Sequence, residues 1–173
     1  MKRTLIACAL SLAACSQTPE APEVTQAEAS KSPLAAIAPA TLPELVDAPC
    51  PYLDNEFIAE TNGQKVTSTG ADARFDPPAC GFWGYGENPQ ATVLVRHMPD
   101  EQQAREVVDW AAPIDSTDPA SLEGGWEGGR SGGESGAVFA VQKGPTAVVV
   151  WSDQAQSLKA QLIAEQTIAS LGL

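Results

Sequence analysis

The run Ala147-Val148-Val149-Val150-Trp151 is apolar at every position. A strand turns successive side chains to opposite faces, so this one offers apolar groups to both and belongs at the centre of a sheet, not at its edge. Residues 136–142 lead into it through Lys143-Gly144-Pro145, a pattern that predicts a β-hairpin. Any fold for this chain must therefore build a sheet around that hairpin and cover it.

The other elements are read from the same kind of pattern. A short helix is expected over 53–61, where Leu53, Phe57 and Ile58 fall on one side and Asn62-Gly63 supplies a stop. Residues 64–69 alternate like a strand. Pro77-Pro78 breaks the chain before the strand Cys80-Gly81-Phe82-Trp83, and residues 91–97 form a second clear strand. Pro99, Asp100 and Glu101 open a helix in which Ala104, Val107, Val108 and Ala111 recur at helical spacing until Pro113 ends it. The glycine-rich stretch 124–133 reads as a surface loop outside regular structure. Asp153 is the expected N-cap of a closing amphipathic helix over 153–171, with Gln156 three residues on and Gly172 at its end. The order α-β-β-β-α-β-β-α predicts an α+β fold, a mainly antiparallel sheet packed against helices on at least one face. The regular strand-helix alternation of a doubly wound parallel sheet is missing.

The chain begins differently. Lys2 and Arg3 precede a short apolar run that ends in Leu12-Ala13-Ala14-Cys15. This is the pattern of a lipoprotein signal peptide over residues 1–14, with Cys15 becoming the acylated N-terminus. The apolar run is too short to span a bilayer, so lipid on Cys15 would be the only membrane attachment. From there to residue 48 the chain is rich in Pro, Ala, Glu, Ser and Thr and carries no aromatic residue, as expected of a disordered tether. The more apolar stretch 34–45 is a candidate for docking on the domain. Residues 49–173 are then one domain with a real core. The protein is expected outside the cytoplasm, at the cell membrane or, in a cell with two membranes, at the outer one.

Charge and cysteines exclude several functions. The formal net charge is −12 and becomes two units more negative once Lys2 and Arg3 leave with the signal. Such a surface repels phosphate, so nucleic acid is not an expected partner. Cys8 departs with the signal and Cys15 is lipidated, which leaves Cys50 and Cys80 as the one pair in an oxidising compartment. A disulfide between them closes a loop worth roughly 3–4 kcal/mol in the chain-entropy model. A metal or redox pair is the poorer reading, because the spacing is not CxxC and His97 is the only histidine. No metal or other cofactor is expected.

Two groups of side chains merit testing. Gly129-Arg130-Ser131-Gly132-Gly133 fits G-x-S-x-G, yet a nucleophile elbow requires a strand before the serine and a helix after it. Here a strand is expected to follow, and His97 precedes the serine, so a serine hydrolase using Ser131 and His97 is the alternative and not the leading reading. Trp83, Tyr85, Trp126 and Arg130 are the candidate binding surface, an apolar platform with a flexible loop beside it. The leading expectation is a non-enzymatic envelope module that binds another envelope protein or an amphipathic ligand; a carrier with a pocket between sheet and helix is a third reading.

Cys50-Pro51-Tyr52-Leu53, Pro77-Pro78-Ala79-Cys80, the apolar strand ending at Trp151 and the closing helix opened by Gln154-Ala155-Gln156 together resemble a family of actinobacterial secreted lipoproteins classed as a domain of unknown function. The resemblance covers residues 49–173. It implies an envelope-facing domain with a paired-cysteine element and no catalytic residues to carry over. The α+β pattern is also similar to the helix-and-sheet sandwiches of the PsbP-like class, a likeness of fold that says little about function.

Overall fold

The computed structural model describes residues 37–173. The expected signal peptide, Cys15 and the tether up to residue 36 lie outside the described residues. The elements are β1 (Val46–Asp47), α1 (Asn55–Asn62), β2 (Ser68–Asp72), β3 (Ala79–Trp83), β4 (Pro89–His97), α2 (Glu101–Ala111), β5 (Asp118–Leu122), β6 (Trp126–Gly133), β7 (Gly136–Lys143), β8 (Thr146–Ser152) and α3 (Ser157–Leu171). All eight strands join one antiparallel sheet in the order β1-β2-β3-β4-β8-β7-β6-β5.

The apolar strand takes its central place between β4 and β7. Its two apolar faces meet two separate cores. Val148 and Val150 pack with Phe82, Val93, Phe139 and Ile163 beneath α1 and α3. Ala147 and Val149 pack with Leu94, Ala140, Val107 and Val108 beneath α2. Helices therefore cover both faces, and the α+β expectation holds as a three-layer arrangement.

Local chemistry sets most boundaries. Asp54 caps α1 by accepting from the Phe57 amide, and Gly63 closes it in the left-handed region at φ 74°. Asp100 caps α2 through the Gln103 amide, which holds its carboxyl below the usual carboxylate range. Asp153 does not cap α3. That helix starts at Ser157 after Gln156, whose side chain makes no capping bond. Asp153 instead continues the β8 edge: its amide donates to the Gln90 carbonyl and its carboxylate accepts from Gln64. The first strand expected after α1 also shifts, from 64–69 to Ser68–Asp72.

The largest correction concerns 124–133. Only the turn at Gly124 and Gly125, both at positive φ, is outside regular structure; Trp126–Gly133 is a full strand, and β5 before it was not expected at all. Glycine is a poor strand former when judged alone. Here close approach demands it: a Cβ on Gly128 would strike the Ala140 carbonyl, one on Gly132 the Ala155 carbonyl, and one on Gly129 would lie 2.8 Å from Thr117 Oγ1.

The candidate docking of 34–45 is seen in its described part, from residue 37 on. Residues 37–48 lie on the domain. The Arg96 guanidinium donates to the carbonyls of Ile37, Ala38 and Pro39 at 2.8–3.4 Å and stands 5.3 Å from the Phe75 ring centroid. Farther along, the Glu44 amide donates to Asp72 at 2.7 Å, the Glu44 carboxylate pairs with Arg74, Leu45 packs on Gly81, and β1 pairs with β2. This N-terminal strap is held by backbone hydrogen bonds, one ion pair, one edge pairing and the packing of Leu45, a mixture that leaves no regular apolar period to read.

Candidate functional site

Cys50 and Cys80 are disulfide-bonded with Cα atoms 5.5 Å apart, joining the segment before α1 to β3. Tyr52 beside it donates its hydroxyl to the Pro78 carbonyl, and burial pushes its phenol well above the usual range. This corner is structural.

The four residues expected to form a platform do not come together. Trp126 is 2% exposed in the core under α3, with the Lys143 ammonium 5.3 Å from its ring centroid. It is a packing residue on β6, not a contact on a flexible loop. Trp83 is half-buried over Gly70 and Gly81, while Phe82 fills the core on the opposite face. Tyr85 is 84% exposed in the turn after β3. Arg130 is exposed on β6, four strands from β3 in the sheet order, which is roughly 19 Å at the usual strand spacing.

Ser131 and His97 are equally far apart. Ser131 on β6 is in register with Val138, Trp151 and Thr92 on successive strands, and His97 lies five residues farther along β4. The separation is roughly 20 Å across a rigid sheet. His97 Nδ1 is 3.1 Å from Thr146 Oγ1, a cross-strand contact at the end of the β4–β8 ladder. These two residues therefore do not assemble a nucleophile and its base.

What the fold does build is a cleft of about 470 Å³ between α2 and the β5–β6–β7 end of the sheet. Its roof is one stripe of α2: Arg105, Val108, Asp109 and Ala112, at the i, i+3, i+4, i+7 spacing of a single helix face. Its floor follows from strand register. Ser121 opposes Glu127, and Glu127 opposes Gln142, so these three side chains form a row on the α2 face of the sheet. Where Gly129 has no side chain, Ala112 and Thr117 close down on the sheet; a Cβ there would lie 3.1 Å from the Ala112 Cβ, so one end of the cleft is sealed. Ile114, 80% exposed, stands at the lip.

Gln142 is the telling residue. It is 7% exposed, lines the cleft, and its Oε1 is buried without any hydrogen-bond partner. Among the described residues it is the only such side-chain atom. A buried carbonyl left unpaired costs about 1–3 kcal/mol, so native structures rarely keep one without a use.

This cleft was missed in the sequence because β5 and β6 were. One signal was present: Gln142 directly follows the apolar run Ala137 to Val141 and is buried with it.

An antiparallel sheet with helices on both faces and a cleft under one of them is an α+β architecture. The chain belongs to the family described as "Domain of unknown function (DUF2020)", whose model matches residues 35–173. That span takes in the strap, which the expected boundary at 49 had cut away. No curated protein matches the chain. Among solved structures it is similar to the extracellular domain of PknH from Mycobacterium tuberculosis, at 13% identity over 69% of this chain and 70% of that one, with a TM-score of 0.27. At that score the likeness adds nothing to the fold described above.

Proposed function

We propose that this protein is a non-enzymatic binding module of the cell envelope, held at the membrane by lipid on Cys15, whose domain takes a small amphipathic ligand in the cleft beneath α2. The observation that carries the reading is the cleft itself. It has the volume of a small-molecule site, apolar groups from Val108, Pro119 and Ile114, and one buried amide with an unused acceptor. The separation of Ser131 from His97 supports a binding role over hydrolysis by that pair. The anchoring part of the reading rests on the Leu12-Ala13-Ala14-Cys15 pattern after a short apolar run.

Two measurements test this. Metabolic labelling with a palmitate analogue should mark the wild-type chain and not Cys15→Ala; equal labelling would end the anchoring claim. Native mass spectrometry of the chain extracted from its own membranes should show a bound small molecule. Ser121→Trp, which places an indole in the cleft from an exposed strand position, should abolish it. A ligand-free wild-type protein, or a ligand retained by Ser121→Trp, would remove the cleft from the function.

A further inference from the structure

We infer that the ligand of the cleft is cationic: an ammonium group joined to an apolar body, its N–H seated on Gln142 Oε1. The inference rests on the proposed binding role and specifies its chemistry.

Three observations carry it. First, the Gln142 amide lines the cleft unbonded within the chain, and its Oε1 is a buried acceptor. Gln142 sits between β6 and β8, whose backbone N–H groups are engaged in the ladders on either side, so a donor must come through the cleft. Second, the side chains beside that acceptor are acidic. Glu127 is its direct cross-strand neighbour on the same face, and Asp109 projects from the roof. Cross-strand partners have Cβ atoms about 5 Å apart, so the Glu127 carboxylate and the Gln142 amide can bind one ammonium together. Third, the only cation in the lining is turned away: Arg105 Nη2 is bonded to Glu101 Oε1 at 3.1 Å, one turn back along the exposed side of α2. An anionic ligand would face three carboxylates, Asp109, Asp118 and Glu127, and find as side-chain donors only the Gln142 amide N–H groups, the paired Arg105 and small hydroxyls. An ammonium has three donors and meets an acceptor at the back and carboxylates beside it. Val108 above and Pro119 below supply the apolar walls for the rest of the molecule.

The experiment uses the full chain carrying Cys15→Ser and three fluorescent probes of one shape. Dansylcadaverine ends in an ammonium, its N-acetyl derivative is neutral, and dansyl-6-aminohexanoate ends in a carboxylate. We expect dansylcadaverine to bind at least tenfold more tightly than the other two. Gln142→Leu and Glu127→Gln should each weaken it at least fivefold without lowering the melting temperature, and Ser121→Trp should abolish it. If the neutral or anionic probe binds equally well and Ser121→Trp removes it, the cleft remains a binding site but the cationic assignment is overturned. If dansylcadaverine binding survives both Gln142→Leu and Ser121→Trp, the attraction is a general effect of an acidic surface and the inference fails. If no probe binds at millimolar concentration, the inference and the cleft reading fall together.

Discussion

Among the described residues two glutamines are buried, and they live differently. Gln90, 1% exposed, lies where α1, β4 and β8 meet, and its amide is used on both sides: Nε2 donates to the Lys65 carbonyl and Oε1 accepts from Asn62. Asn62 in turn donates to the Gln90 carbonyl at 2.9 Å and accepts from Ser152 at 3.4 Å, while Lys159 reaches the Asn62 carbonyl from α3. Gln142, 7% exposed, has no such circle. The closed network welds three elements and leaves nothing over for a ligand. The open amide holds nothing together, and it faces a cleft. Burial of a polar group is thus not informative alone; whether its hydrogen bonds close within the chain separates architecture from a binding site.

The contrast is broken most severely from the closed side. Asn62→Ala removes the donor to Gln90 and the acceptor for Ser152 and leaves both buried, so it should cost about 3 kcal/mol. Urea denaturation would measure this as a lower midpoint at unchanged slope. A loss below about 1 kcal/mol would mean that the network is not the weld described.

The strap offers an intermediate case, a buried charge satisfied by backbone carbonyls alone. Arg96 is 6% exposed, and burial pulls its guanidinium below the ordinary value. Arg96→Ala should free residues 37–39 and cost about 2 kcal/mol, since three carbonyls and the Phe75 ring lose their partner. Hydrogen exchange should show lost protection confined to the strap and its contacts on β2 and β4.

A smaller effect is expected at the other end of the strap. Burial would push the Asp72 carboxyl up, but hydrogen bonds from the Arg74 side chain and from the Glu44 and Arg74 amides, with the Arg74 charge, hold it below 3.8. A carboxylate depressed on folding adds stability that is fully present above its unfolded value and is lost as pH falls through the folded one. Protection of the strap should therefore be constant from pH 7 to about 4 and decline below that. Asp72→Asn should cost about 1 kcal/mol at neutral pH and flatten the acid response. An acid response that persists in Asp72→Asn would assign it to another carboxylate.

Much of the scaffold was legible because its signals are local. The two-faced run Ala147 to Trp151 placed β8, the caps at Asp100 and Gly63 bounded helices, and Cys50 and Cys80 were paired by elimination. Docking of 34–45 and a pocket between sheet and helix were both raised, but the contacts of the strap and the lining of the cleft were not legible, for two different reasons. Arg96 binds carbonyls, which every residue carries, so no pattern in 37–39 announces the contact. The β6 glycines depress strand propensity locally, and the reason for them, the closeness of Ala112, Ala140 and Ala155, exists only in three dimensions. What the sequence did contain were two polar residues inside apolar strands, Arg96 and Gln142. Arg96 holds a segment outside its own strand, and Gln142 is where the proposed ligand would sit.

The gentlest substitution sharpens the comparison most. Gln142→Leu shortens the side chain by one atom but removes an unpaired carbonyl from the interior, so the empty protein should gain up to about 1 kcal/mol and melt a few degrees higher. The same change at Gln90 would take the side-chain donor from the Lys65 carbonyl and one of two acceptors from the Asn62 amide, and should destabilise the domain by about 2 kcal/mol. Opposite signs from one chemical change at two buried glutamines are the signature of a residue kept at a cost to stability, as expected where function opposes folding. If Gln142→Leu destabilises as Gln90→Leu does, then Gln142 serves the fold in solution and the cleft loses the feature that distinguishes it from a surface groove. Differential scanning calorimetry of the two variants beside the wild type, at matched pH and without ligand, decides between these outcomes.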